Sequence, residues 1–137
     1  MIHRKRALVL LPLALSLAAG TAIVLALGDD DLSPADQKAA KAAEDRALAL
    51  GTKVFTDPSL GTADRSCSTC HDNPQKPQLS LKGVGTRFPR WDRDAGKVIT
   101  LQQKFVQMQE RSLKAKKTLP LGDDRWNALE MHLRGLK

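Results

Sequence analysis

The chain contains no tyrosine, and its 137 residues include only three phenylalanines, two tryptophans, two cysteines and three histidines. So few aromatics leave residues 29–137 poorly supplied with large core side chains. A domain of that size buries only about two-thirds of its unfolded surface, so a thin core needs outside support. A disulfide between Cys67 and Cys70 closes too small a loop to supply it. A buried prosthetic group would supply a large apolar surface. No stretch reads convincingly as a β-strand and no internal repeat is present. With no basic-aromatic motif behind an export segment, nucleic acid is excluded as a partner.

The export segment is the N-terminus. Arg4, Lys5 and Arg6 precede an apolar run from Ala7 to Gly28. A basic flank before such a run keeps its charged end in the cytoplasm and sends the remainder out. The run is long enough to span a bilayer, for which about 20 apolar residues suffice. Residues 1–28 are therefore a signal peptide, cleaved near Gly20-Thr21-Ala22 or Ala26-Leu27-Gly28, or an uncleaved anchor tethering the protein through residues 7–28. Residues 29–34 form a linker, and residues 35–137 form the working domain in the periplasm.

The net charge of +7 is unevenly placed. Residues 29–64 carry eight acidic and four basic side chains, whereas residues 65–137 carry seven acidic and fifteen basic ones. Most of these lysines belong on a solvated surface. The basic second half, around Lys82 to Arg93 and Lys114 to Lys117, nevertheless matches an acidic redox partner.

Helix signals are clear at three places. Ser33 is an N-cap with Pro34 at the first helical position, and the alanine-rich run from Ala35 to about Phe55 follows. Gly51 within it is a weak point or a close-contact point. Thr100 and Gln103 form a capping box for a helix running toward Lys117, with Leu101, Phe105 and Met108 on one face. Asp123 caps the last helix, whose apolar stripe is Trp126, Leu129 and Leu133, and Gly135 stops it. Between the first two helices, Pro74, Pro77, Gly83, Gly85, Pro89 and Gly96 rule out a long helix. A loop of that length is reasonable if it wraps a prosthetic group.

The chemistry lies in "RSCSTCHDNPQ", where Cys67, Cys70 and His71 are found. Structural zinc needs four ligands, and adjacent Cys70 and His71 are poorly spaced for one tetrahedral ion. Thiol redox pairs sit at a strand-to-helix junction of an α/β domain, and the strands are lacking. Cys-x-x-Cys-His is the c-type haem attachment motif: two cysteines reach the two vinyl groups and the histidine falls beneath the iron. The motif thus assigns one covalent haem c, with Cys67 and Cys70 as thioether donors and His71 as proximal ligand. A sixth ligand comes from Met108, Met131 or His132, or the position is open.

These residues resemble class I cytochromes c, in which an N-terminal helix with a Gly-x-x-x-Phe pattern crosses a C-terminal helix. Gly51 to Phe55 and Asp123 to Leu136 match those parts. "LKGVGTRFPRW", "GKVITLQQKF" and "LPLGDDRWNALEMHL" further resemble the thiosulfate-oxidising cytochromes, the Sox-type and thiosulfate dehydrogenase group, over roughly residues 48–136. The resemblance implies an all-α class I cytochrome c fold, about three helices and long loops wrapped around one haem. It also implies Met108 as distal iron ligand, since Met108 matches a ligand position of the family. Members of the group commonly place a cysteine there on the catalytic haem iron. This chain has methionine, so the resemblance supports the fold more than the sulfur chemistry. His/Met ligation raises the potential and suits electron transfer.

The function expected from these readings is a monohaem cytochrome c passing single electrons between periplasmic redox partners. Two alternatives stand beside it: an electron-transfer subunit of a sulfur-compound-oxidising complex, and a haem-based ligand-binding sensor.

Overall fold

The computed structural model describes residues 32–137; the export segment and residues 29–31 of the linker lie outside the described residues. Four helices carry the fold: α1 (Pro34–Thr56), α2 (Cys67–His71), α3 (Leu101–Arg111) and α4 (Asp124–Arg134). Short 3-10 turns at Pro58–Leu60, Pro77–Leu79 and Val84–Thr86 punctuate the connections.

The helix ends form where local chemistry demands. Ser33 Oγ accepts from Asp36 N (3.2 Å), with Pro34 at the first helical position. At α3, Gln103 N donates to Thr100 Oγ1 (3.2 Å) and Thr100 N donates to Gln103 Oε1 (2.8 Å). Each side chain thereby satisfies an amide that the helix leaves without a partner. Asp123 Oδ1 accepts from Arg125 N (3.0 Å) and starts α4.

α1 crosses α4, and Gly51 permits the approach. A Cβ at Gly51 would collide with the Ala128 carbonyl oxygen and lie 2.8 Å from His132 Cβ. Gly51 is therefore a close-contact point. One turn on, Phe55 packs against His132 with ring centroids 5.3 Å apart. Phe105 of α3 meets Trp126 of α4 at 5.5 Å. Val54, Phe55, Leu60, Val84, Leu101, Phe105, Leu113, Trp126, Leu129 and Leu133 form the core.

Two expectations are corrected. The loop expected to hold no strand contains an antiparallel hairpin, β1 (Arg90–Asp92) and β2 (Lys97–Ile99), pairing Arg90 with Ile99, Trp91 with Val98 and Asp92 with Lys97. Its strands are three residues long, too short for alternation to emerge from the sequence. The helix expected to run toward Lys117 ends at Arg111. Beyond it the chain folds back: the Leu113 carbonyl accepts from Thr62 N (2.8 Å) and Ala63 N (3.1 Å), and the Lys114 carbonyl accepts from Thr62 Oγ1 (2.7 Å). Those bonds hold Lys114 at φ 59°, a left-handed conformation that few non-glycine residues adopt. The all-α description stands, with the hairpin as a small addition.

Candidate haem-binding site

Cys67, Cys70 and His71 occupy one short helix, α2, at positions i, i+3 and i+4, so they share a face. Buried Ser66 precedes it and donates its amide to Thr69 Oγ1 (3.0 Å), which fixes the entry. Both thiols are free and half-buried. The segment just before α2 is fastened to the α3–α4 connection through the Leu113 and Lys114 carbonyls. Buried Gln109 adds to this attachment: its Nε2 donates to Leu60 O (3.0 Å) and its Oε1 accepts from Leu119 N (2.8 Å). Sequence reasoning missed Gln109. A glutamine at that point of an amphipathic helix reads as solvent-facing until the partners it meets are known.

After α2 the chain turns at Asn73, whose Oδ1 accepts from Gln75 N (2.9 Å). The following 3-10 turn brings the Leu79 carbonyl against His71 Nδ1. A carbonyl only accepts, so Nδ1 carries the proton and Nε2 is left with its lone pair. That hydrogen bond fixes the ring and its tautomer, as is usual for a metal-ligating imidazole.

All three residues line a cavity of about 580 Å³. Phe55, Leu81, Val84, Phe88, Leu101, Phe105, Leu113, Trp126, Leu129 and Leu133 supply most of its apolar wall. Met108 also lines it, on the α3 side, with its sulfur accepting from Ser112 Oγ at 3.7 Å. Met131 and His132 are absent from the wall. His132 sits at the α1–α4 crossing, with Nδ1 3.2 Å from Thr52 Oγ1. The loop from Gln78 to Arg90 forms one side of the cavity and is anchored to the end of α4, where Arg134 Nη1 donates to Gly85 O (3.0 Å).

The wall carries six cations, Arg65, Arg87, Arg90, Lys104, Arg111 and Lys114, and no carboxylate. An apolar planar group bearing two carboxylates, as haem does, suits such a lining. The volume falls in the range of about 300–1,000 Å³ typical of ligand pockets. The donor set fits as well: two thiols on one helix face, an imidazole with a free Nε2, and a thioether. Zinc does not fit, since no three His, Cys, Asp or Glu side chains converge on a common point among the described residues. Burial pushes the Cys67 thiol up to about 11, which opposes thiolate chemistry.

Residues 50–134 match the model of the SoxA/TsdA cytochrome c domain. The chain belongs to this family. Family membership means a covalently bound haem c, a group the cavity fits. Among curated proteins, the L-cysteine S-thiosulfotransferase subunit SoxA of Pseudaminobacter salicylatoxidans is 40% identical over 42 residues. That match covers 31% of this chain and 14% of the SoxA subunit, so the chain spans a small part of that relative. No solved structure matches significantly. Of the residues singled out in the sequence, the fold brings Cys67, Cys70, His71 and Met108 to one cavity and leaves Met131 and His132 outside it.

Proposed function

We propose that this SoxA/TsdA-type cytochrome is a single-electron carrier serving a sulfur-compound-oxidising assembly. The observation that carries the reading is the meeting of Cys67, Cys70, His71 and Met108 in one apolar cavity with a basic wall. Residues 35–137 are the cytochrome domain, and residues 1–28 deliver it to the periplasm as a cleaved signal or an anchor. Cys67 and Cys70 would hold the haem through thioethers, and His71 Nε2 and Met108 Sδ would supply donors to its iron. The haem supplies reversible one-electron exchange when bound.

The protein's own part would be to offer two donors, His71 and Met108, within an apolar wall. The Leu79 carbonyl holds His71 in one tautomer and one ring orientation. Leu101, Phe105 and Leu129 exclude water from the pocket, which limits reorganisation around a changing charge. The cations of the wall stabilise anionic ring substituents. With iron bound, His/Met ligation would raise the potential and leave no open position for a substrate. The sensor alternative needs an open iron position, and the placement of Met108 in the cavity wall speaks against it.

The test is purification of the holo chain from cells competent in cytochrome c maturation, with spectra in both oxidation states and trials with thiosulfate. A reversible one-electron cycle with no thiosulfate oxidation by the isolated chain is expected. The reason is that no cysteine remains beyond the pair reserved for haem. Steady thiosulfate turnover by the purified monomer would instead place catalysis within this chain.

A further inference from the structure

The hairpin presents a feature that neither the core nor the cavity uses. Trp91 and Val98 lie opposite each other across the two strands and remain 65% and 60% exposed. Neighbouring positions in each strand point to the other face, where Ile99 and Asp92 are buried. An isolated exposed apolar residue needs no explanation. A cross-strand tryptophan–valine pair on a hairpin held rigidly against the body is different, because tryptophan and arginine dominate the energetics of protein interfaces.

The rigidity has a source. Asp92 accepts from Lys104 Nζ (2.9 Å) on α3 and from Ala95 N (2.9 Å) in the turn. Asp94 pairs with Arg111 of α3 at 2.7 Å. Both carboxylates of the hairpin are thus engaged with cations of α3. Arg87, Arg90, Arg93 and Lys97 are exposed and form no ion pair within the chain's described residues. Arg90 instead stacks on Phe88, 4.7 Å from its ring centroid. Trp91 and Val98 thus form an exposed apolar pair on one face, and a ring of unbalanced positive charge surrounds the hairpin, with Arg90 and Lys97 on its other face. Arg87 and Arg90 belong at once to this ring and to the cavity wall.

We propose that the hairpin, with the exposed pair Trp91 and Val98 and a ring of exposed cations around it, Arg87, Arg90, Arg93 and Lys97, is the docking surface for an acidic electron-transfer protein. The inference rests on the electron-carrier reading above and adds the place and chemistry of the partner. Carboxylates on the partner meet the ring and steer the encounter, while the indole fills an apolar depression at its centre. Docking there seats the partner beside the haem cavity, whose wall includes Arg87 and Arg90.

The probe is flavodoxin, an acidic electron-transfer protein, used as its hydroquinone in stopped-flow with the ferric holo chain. One electron passes from the hydroquinone, which becomes the semiquinone, to the ferric iron, which becomes ferrous. Photoreduced lumiflavin, small and uncharged, serves as the control reductant. For wild type, the flavodoxin rate constant is expected to fall steeply with ionic strength. Trp91→Ala should lower it about tenfold, the kinetic equivalent of losing one interface anchor. Arg93→Gln with Lys97→Gln should lower it roughly threefold or more and flatten its salt dependence. The spectrum, the melting temperature and the lumiflavin rate should stay unchanged, because none of these three side chains lines the cavity.

Unchanged flavodoxin rates in both hairpin variants overturn the proposal. It is equally overturned if Lys116→Gln with Lys117→Gln slows the reaction as much as the hairpin changes do. Vesicles of phosphatidylcholine and phosphatidylglycerol (3:1) separate out a lipid surface. Binding to them that Trp91→Ala abolishes, with the flavodoxin rate intact, reassigns the face to the membrane. A wild-type chain that lumiflavin cannot reduce removes the carrier reading and this proposal with it. Normal lumiflavin reduction with hairpin-insensitive flavodoxin rates removes the docking surface alone.

Discussion

The half-buried Cys67 thiol, pushed up to about 11 by desolvation, stays protonated at neutral pH, whereas redox-active Cys-x-x-Cys pairs work through a thiolate of lowered pKa. The environment of Cys67 thus speaks against a cycling redox thiol. Position 108 is the residue whose role most needs a test. If Met108 binds the iron as proposed, Met108→Ala should lower the potential and admit imidazole or carbon monoxide. The weak sulfur-to-iron band toward the red end of the oxidised spectrum should vanish. Stability cannot decide the matter, because truncating a packed methionine costs about 2–5 kcal/mol whether or not it binds iron. Met131→Leu and His132→Phe, both outside the cavity wall, should keep the band. If it survives in Met108→Ala or disappears in Met131→Leu, the ligand assignment is wrong. A wild-type chain without the band that takes up carbon monoxide readily would favour the sensor reading. Much of this site was legible in the sequence, because attachment chemistry compresses three donors into five consecutive residues. The Leu79 carbonyl that sets the His71 tautomer was not, since its place depends on how the Asn73 turn folds.

At the scale of elements, the α1–α4 crossing and the hairpin are the two joints that shape the cavity. Gly51→Ala sets a methyl group against the Ala128 backbone, which cannot swing aside as a side chain can. It should cost about 3 kcal/mol, the upper part of the usual overpacking range. For a domain of this size that lowers the melting temperature by roughly 4–8 °C per kcal/mol. An unchanged melt would mean that the helices do not cross at Gly51. The hairpin joint is acid-sensitive. The hydrogen bond from Lys104, followed by the Ala95 amide, holds the Asp92 carboxyl below the ordinary value of 3.8. Its contribution is therefore complete above that ordinary value and disappears as pH falls through the lower folded one. Wild type should melt above Asp92→Asn at pH 7, and the gap should close below about pH 4. A gap that persists at pH 2 would contradict the assignment. The caps at Ser33, Thr100 and Asp123 were readable because each lies within three residues of the amide it satisfies. The end of α3 at Arg111 was not, because bonds from Thr62 and Ala63, some fifty residues away in sequence, turn the chain there.

On the scale of the whole molecule, a chain with five aromatic residues builds its interior around a cavity instead of filling it. The core side chains Phe55, Leu101, Phe105, Trp126, Leu129 and Leu133 are also cavity wall, so the hydrophobic core and the haem pocket are one structure. The shortage of aromatics pointed to such a group before any geometry was known. The long loop from Asp72 to Thr100 acquires order from the same arrangement, as its Gln78–Arg90 part lines the pocket. A single covalent haem at Cys67–His71 accounts for both the thin core and the ordered loop. The direct measurement is the mass and colour of the denatured, purified chain from cells competent in cytochrome c maturation, followed by tryptic mapping. The account requires the mass of one haem, retained after denaturation. It should map to the peptide from Ser66 to Lys82, since the bond between Lys76 and Pro77 resists trypsin. A colourless chain of unmodified mass from those cells, or a haem lost on denaturation, would contradict it.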